Sequence, residues 1–186
     1  MVKNRNKLAD LCLRFCNVIE KYVKYIVVSG FFTIVSGRSR ATEDIDIIIE
    51  QFNSDQFLKM HDDLVKNGFS CLQTSIPSEI YDSYLTAFLP VRYIYSKNII
   101  PNIELKFAKD ELDHYQIATR KKIEFTELDV YFSSVEANIA FKEELLKSPK
   151  DLGDAKFLRI VYQKDINENE ISNFKKMIRK YRLGPI

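Results

Sequence analysis

The chain predicts an α+β fold, with strands and helices interleaved over residues 1–132 and helices alone over residues 133–186, the two parts packed as one compact unit. Short β-rich runs, "YIVVSG" (25–30) and "IDIIIE" (45–50), alternate with helix-period segments in the first part. From Ser133 the periodicity is helical only, and 186 residues that are 46% hydrophobic suffice for a single core.

Leu8, Leu11, Phe15, Val18, Ile19 and Tyr22 fall on one face of a first helix, with Cys12 and Cys16 on or beside it. Between "YIVVSG" and "IDIIIE", the stretch "FFTIVSGR" lacks a hairpin dipeptide, so a short helix entered at Ser29-Gly30 is expected. Ser54 is read as the cap of a helix running to Lys66, closed by Asn67-Gly68. A strand at 69–73 follows, then a helix opened by Pro77, and strands at 91–96 and 102–107. "DELDHYQIATR" predicts a short helix, and "KKIEFTELDVYF" one or two strands near the end of the sheet. The last three helices carry expected capping boxes at Ser133/Glu136 and Asn167/Glu170. An apolar stripe of Val135, Ile139, Leu146, Leu152, Phe157 and Leu158 would pack them on the sheet.

A net charge of +2 is too small by itself to imply a nucleic-acid partner, and the basic end "NFKKMIRKYRLGPI" predicts mainly a helix with a solvated cationic face and secondarily an RNA-contacting surface. No uncharged run is long enough to cross a membrane, so no membrane partner is expected. "MVKNRNKLADLCLRF" lacks a signal-peptide core, so the expected location is cytoplasmic, with Cys12, Cys16 and Cys71 as reduced core thiols. His61 and His114 have no ligand spacing, and the tyrosines Tyr81, Tyr84, Tyr93 and Tyr95 are read first as packing residues and second as rings that stack on a base or RNA.

The chemistry concentrates in "GRSRATEDIDIIIE" (37–50). On a strand, Asp44 and Asp46 project to one face while Ile45 and Ile47 go to the other. Two neighbouring carboxylates repel unless a cation, a shared proton or water relieves them, and a hard divalent ion such as Mg²⁺ suits them. Ser29-Gly30, at a strand-to-helix turn, could offer backbone N–H groups to an anion. Glu104, inside the apolar run "NIELKF", would complete an acidic triad if its strand neighbours the Asp44/Asp46 strand; otherwise it faces solvent or pairs with Lys106. Arg38 and Arg40 either offset these acids or contact phosphate.

The stretch "YIVVSGFFTIVSGRSRATEDIDIII" resembles the first motif of the nucleotidyltransferase-fold superfamily of DNA polymerase beta, and in particular its AbiEii/AbiGii toxin-like branch. "VEANIAFKEELLKSPKDLGDAKFL" is similar to that branch's later motifs, a helix bearing a Lys and then Lys/Arg-Asp-Leu-x-Asp. The resemblance implies the nucleotidyltransferase fold, a mixed β-sheet flanked by helices with a C-terminal helical part. It implies that Ser29 and Gly30 bind nucleotide phosphates, that Asp44 and Asp46 bind Mg²⁺ or Mn²⁺, that Lys142 neutralises the triphosphate, and that Asp151 is a catalytic or base-like carboxylate in the helical part. Arg38, Arg40 and Thr42 would line the same cleft. The turn reads Ser-Gly where the family usually has Gly-Gly or Gly-Ser, so its hydroxyl precedes the glycine. The implied activity is transfer of a nucleoside monophosphate from NTP to a hydroxyl on RNA (tRNA included), a protein or a small molecule, with an antitoxin protein as a further implied partner. The competing expectation is a nucleotidyltransferase-fold module that binds NTP without turnover.

Overall fold

The computed structural model describes residues 7–184, so the first six residues of the stretch read as lacking an export signal lie outside the described residues. α1 (Lys7–Ile19) leads into β1 (Tyr25–Val28), α2 (Gly30–Val35) and β2 (Asp44–Ile49). α3 (Ser54–Lys66), β3 (Phe69–Cys71), α4 (Pro77–Glu79, widening into a π-helical turn over Ile80–Leu85) and β4 (Val91–Tyr95) follow. β5 (Asn98–Phe107) and α5 (Glu111–Ala118) precede two short strands, β6 (Lys121–Lys122) and β7 (Tyr131–Phe132). α6 (Val135–Phe141, continued by a π-helical turn over Lys142–Leu146), α7 (Pro149–Val161) and α8 (Glu168–Ile178, continued over Arg179–Leu183) complete the chain.

The sheet is mixed, in the order β3-β4-β5-β2-β1-β7-β6. β2 is central, antiparallel to β1 and parallel to β5, with Val28 opposite Asp46 and Asp46 opposite Glu104. One face of β2 presents Ile45, Ile47 and Ile49, all fully buried in the main core with Phe15 of α1 and Phe57 of α3. The other face carries Asp44, Asp46 and then Ile48, which packs with Ile26, Ala108 and Ile117 in a small second cluster under α5. Strand alternation therefore seats the two acids against a partly apolar floor. The main core is continuous from the sheet into the last helices, since Phe132, Ile139, Leu158, Phe174 and Ile178 belong to it. Phe32 of α2 joins the two parts, with its ring centroid 5.3 Å from Phe132 and 6.0 Å from Tyr162.

Several expectations shift. The cap of α3 is Asn53, whose side chain accepts from the Gln56 amide at 2.9 Å, because Ser54 is already helical. The cap of α6 is Ser134, accepting from Ala137 at 3.1 Å, while Glu136 reaches across to the Asn167 amide. Asn167 does cap α8, but Glu170 accepts from the Tyr115 hydroxyl instead of folding back. β5 starts at Asn98, before the expected 102, because Ser96 and Lys97 both adopt positive φ and make a two-residue hairpin turn that no Gly announces. β3 ends at Cys71, two residues early, and the Gln73 side chain accepts from the Arg92 amide in place of a ladder bond.

Leu146 and Leu152, expected on the packing stripe, are about half exposed, at 47% and 46%; the buried face of α7 is Asp154, Ala155 and Leu158. Cys71 sits half-buried on an edge strand, whereas Cys12 and Cys16 are core thiols 3.9 Å apart. The cations of the C-terminal segment are only partly solvated: Lys176, Arg179 and Lys180 are exposed, Arg179 pairing with Glu144, whereas Lys175 is drawn onto Glu143 and Arg182 onto Asp110 and Asp113 of α5. No helix among the described residues is long and apolar enough to cross a membrane.

Candidate active site

Three acids converge where β2 and β5 run side by side. Carboxylate oxygens of Asp44, Asp46 and Glu104 all lie within 4.8 Å of one another. The i, i+2 spacing puts both aspartates on one face, and the parallel register sets Glu104 directly beside Asp46. Burial and the negative charges of Asp44 and Glu104 push Asp46 up from 3.8 to about 6, with the Ser29 hydroxyl and Lys106 pulling the other way. The cluster is thus under-neutralised, and its other cationic contact is half-exposed Arg92, whose Nη2 is 3.5 Å from Glu104. Thr42 orients Asp44, donating to its Oδ1 at 3.0 Å.

Ser29 joins this group through backbone geometry. The positive φ of the turn falls on Ser29 (φ 69, ψ −139), a region favoured by glycine, and throws the chain from the end of β1 into α2. Gly30 has a different reason to lack a side chain. A Cβ there would stand 2.7 Å from Nη2 of Arg40. Gly153 plays the same part for Arg38, whose Nη2 would be 2.7 Å from an added Cβ. Both guanidiniums sit close against a glycine, and both converge on Asp154.

Asp154 is fully buried and forms ion pairs with Arg38 and Arg40, and it accepts from Lys142 Nζ at 2.9 Å. Arg38 and Arg40 therefore pair with this helix acid and not with Asp44 or Asp46. Lys142 is 1% exposed, not the surface position that neighbouring Glu143 and Glu144 suggest, and its ammonium also lies 3.8 Å from Asp151. Asp151 accepts from the Ser148 hydroxyl at 2.5 Å while its own amide donates back to that hydroxyl, a reciprocal cap on α7. It stands with Lys142, apart from the three clustered acids.

A cavity of about 320 Å³ connects the two groups, lined by Ser29 and Asp46 on one side and Lys142 on another. Lys106, Lys109 and Arg182 add cations, and Phe88, Phe107 and Phe141 add aromatic surface. The arrangement offers carboxylates for a divalent cation, cations for an anionic ligand, and apolar wall for a flat ring.

Sequence reasoning missed Asp154. Its signal was its place as the last acid of the Lys/Arg-Asp-Leu-x-Asp motif, in phase with Ala155 and Leu158 on the buried side of a helix. It missed Gln116 and Asn138 as cavity residues too, and no short pattern marks either.

No family model matches the chain, and no curated protein sequence matches it. Solved structures do resemble it. An antigenic nucleotidyltransferase-like protein from Paracoccidioides brasiliensis superposes with a TM-score of 0.56 at 14% identity, over 96% of this chain and 90% of that one. The antibiotic-resistance factor ANT(2'')-Ia superposes with a TM-score of 0.52 at 12% identity, over 92% and 91% of the respective chains. The fold is thus the α+β nucleotidyltransferase fold, with its mixed sheet flanked by helices.

Proposed function

We propose that this protein is a divalent-metal-dependent nucleotidyltransferase that moves a nucleoside monophosphate from NTP to an acceptor hydroxyl. The observation that carries this reading is the cluster of Asp44, Asp46 and Glu104 within 4.8 Å, bordering a cavity that also holds buried Lys142. The donor set fits Mg²⁺ or Mn²⁺: three carboxylates and no soft ligand in the cluster, with burial first and the charges of Asp44 and Glu104 second raising Asp46 to about 6. Bound by Asp44, Asp46 and Glu104, such an ion would supply Lewis-acid neutralisation of the phosphates.

The chain's own groups do the rest. Ser29 and the Gly30 backbone face the phosphates at the turn, with Lys142 and Arg40 adding positive charge and Arg38 bracing the loop through Asp154. Thr42 keeps Asp44 aimed. Glu104 takes the proton of the acceptor hydroxyl as that oxygen bonds to the α-phosphorus, and the bond from the α-phosphorus to pyrophosphate breaks. Asp151 acts at one remove, holding Lys142. The AbiEii/AbiGii toxin-like branch is the one whose motifs the sequence resembles. RNA, tRNA among it, is the acceptor tried first, and an antitoxin protein the partner sought.

The test is incubation with each α-labelled NTP, Mg²⁺ and total RNA, with protein and small-molecule hydroxyls as parallel acceptors. Label should move to one acceptor and be lost in Asp44→Asn/Asp46→Asn. NTP binding without any label transfer would replace this reading with that of a binding module.

A further inference from the structure

Gln116 and Asn138 come from different elements, α5 and α6, yet both line the cavity that Asp46 and Lys142 line. They are 2% and 4% exposed, so neither amide is there for solubility. Ser133 orients both. Its hydroxyl donates to Gln116 Oε1 at 2.9 Å, and its carbonyl accepts from Asn138 Nδ2 at 3.1 Å. Asn138 Nδ2 also donates to the Ser134 carbonyl at 3.0 Å, which leaves Oδ1 as the group this amide has to offer. Gln116 Nε2 is buried and meets no acceptor among the described residues. A buried donor without a partner costs about 1–3 kcal/mol, an expense a fold keeps where a ligand completes the bond.

We propose that Gln116 Nε2 and Asn138 Oδ1 form the nucleobase-reading pair of this cavity, one donor and one acceptor facing the edge of a flat heterocycle. The inference rests on the nucleotidyl-transfer reading above. A nucleobase edge presents an acceptor beside a donor, which one amide N–H and one amide oxygen complement. Phe141 and half-exposed Phe88 supply rings on which the base can lie. Because both amides are held by Ser133, the donor and acceptor are set before the ligand arrives, and a base with the reversed order leaves buried groups unpaired. Sites of this kind discriminate strongly.

The experiment measures binding of the four NTPs and of inorganic tripolyphosphate, each with Mg²⁺, by calorimetry on the full chain. The parent should bind one NTP about tenfold or more tighter than the least preferred. Gln116→Met, which removes the donor without adding charge, should flatten the preference while tripolyphosphate binding stays within about twofold of the parent, and Gln116→Glu, which replaces the donor with an acceptor, should change the order of preference. Far-ultraviolet circular dichroism identifies folded variants, and the Met variant serves if the Glu variant fails to fold; Asn138→Ser stands behind both. A parent without base preference, or an unchanged order in a folded variant, overturns this inference and leaves the transferase reading standing. Absence of NTP and tripolyphosphate binding by the parent overturns both.

Discussion

Asp46 concentrates the electrostatics of the site in one side chain. Its carboxyl, raised from 3.8 to about 6, holds a proton in the folded protein that the unfolded chain has already released. Folded Asp46 thus binds more protons than unfolded Asp46 in that window, so its contribution to stability falls as pH rises from about 4 to about 6. Paired carboxylates such as Glu143, held below their usual range by Arg159 and Lys175, act in the opposite sense. The readout is therefore the difference between parent and Asp46→Asn in urea unfolding without metal. The variant should gain on the parent as pH rises through the window, and saturating Mg²⁺ should erase the gain. Ser29 allows a second comparison at this scale. Gly and Ala both remove its hydroxyl, but only Gly accepts φ 69, ψ −139 without strain. Ser29→Gly should exceed Ser29→Ala in stability by about 1–3 kcal/mol, and equal midpoints would deny the strain.

At the scale of elements, α7 is tied to the loop before β2 by charge. Asp154 answers Arg38, Arg40 and Lys142 from within a fully buried position. Removing it would leave those cations facing each other, with Asp151, 3.8 Å from Lys142, answering only that one. Asp154→Asn should therefore cost about 3–5 kcal/mol, the loss typical of an uncompensated buried charge. Asp151→Asn, at a partly exposed helix cap, should cost about 1 kcal/mol. Chemical denaturation of the two variants side by side checks the ranking, and a reversed order would move the structural role to Asp151.

Across the whole molecule, the helices from Ser133 onward provide core as well as site. Ile139, Leu158, Phe174 and Ile178 are fully buried in the same cluster as β2, and Lys142 reaches the cavity from that segment. A fragment ending at residue 132 should lack a cooperative thermal transition, as a sheet stripped of one packing layer does. A fragment that melts cooperatively would mark residues 1–132 as an independent domain. Ligand linkage acts at this scale too. NTP with Mg²⁺ at a hundred times its dissociation constant should stabilise the chain by about 2.7 kcal/mol, and Asp44→Asn/Asp46→Asn should abolish the shift.

The sequence alone determined the local grammar. Alternation in "DIDIII" separates acids from isoleucines, Ser29-Gly30 marks the turn from strand to helix, and Pro77, Asn67 and Gly68 bound their helices, because each depends on backbone preferences within a few residues. Glu104 was legible only as an acid on an apolar strand; its place beside Asp46 depended on which strand β5 would pair with. Tertiary structure decided the rest. Asp154 became the hub of three cations, Ser133 aligned two amides from separate helices, and Lys142, between Glu143 and Phe141, was buried against Asp154. Those outcomes join residues up to 116 positions apart, and no local periodicity encodes which distant charge will meet a buried carboxylate.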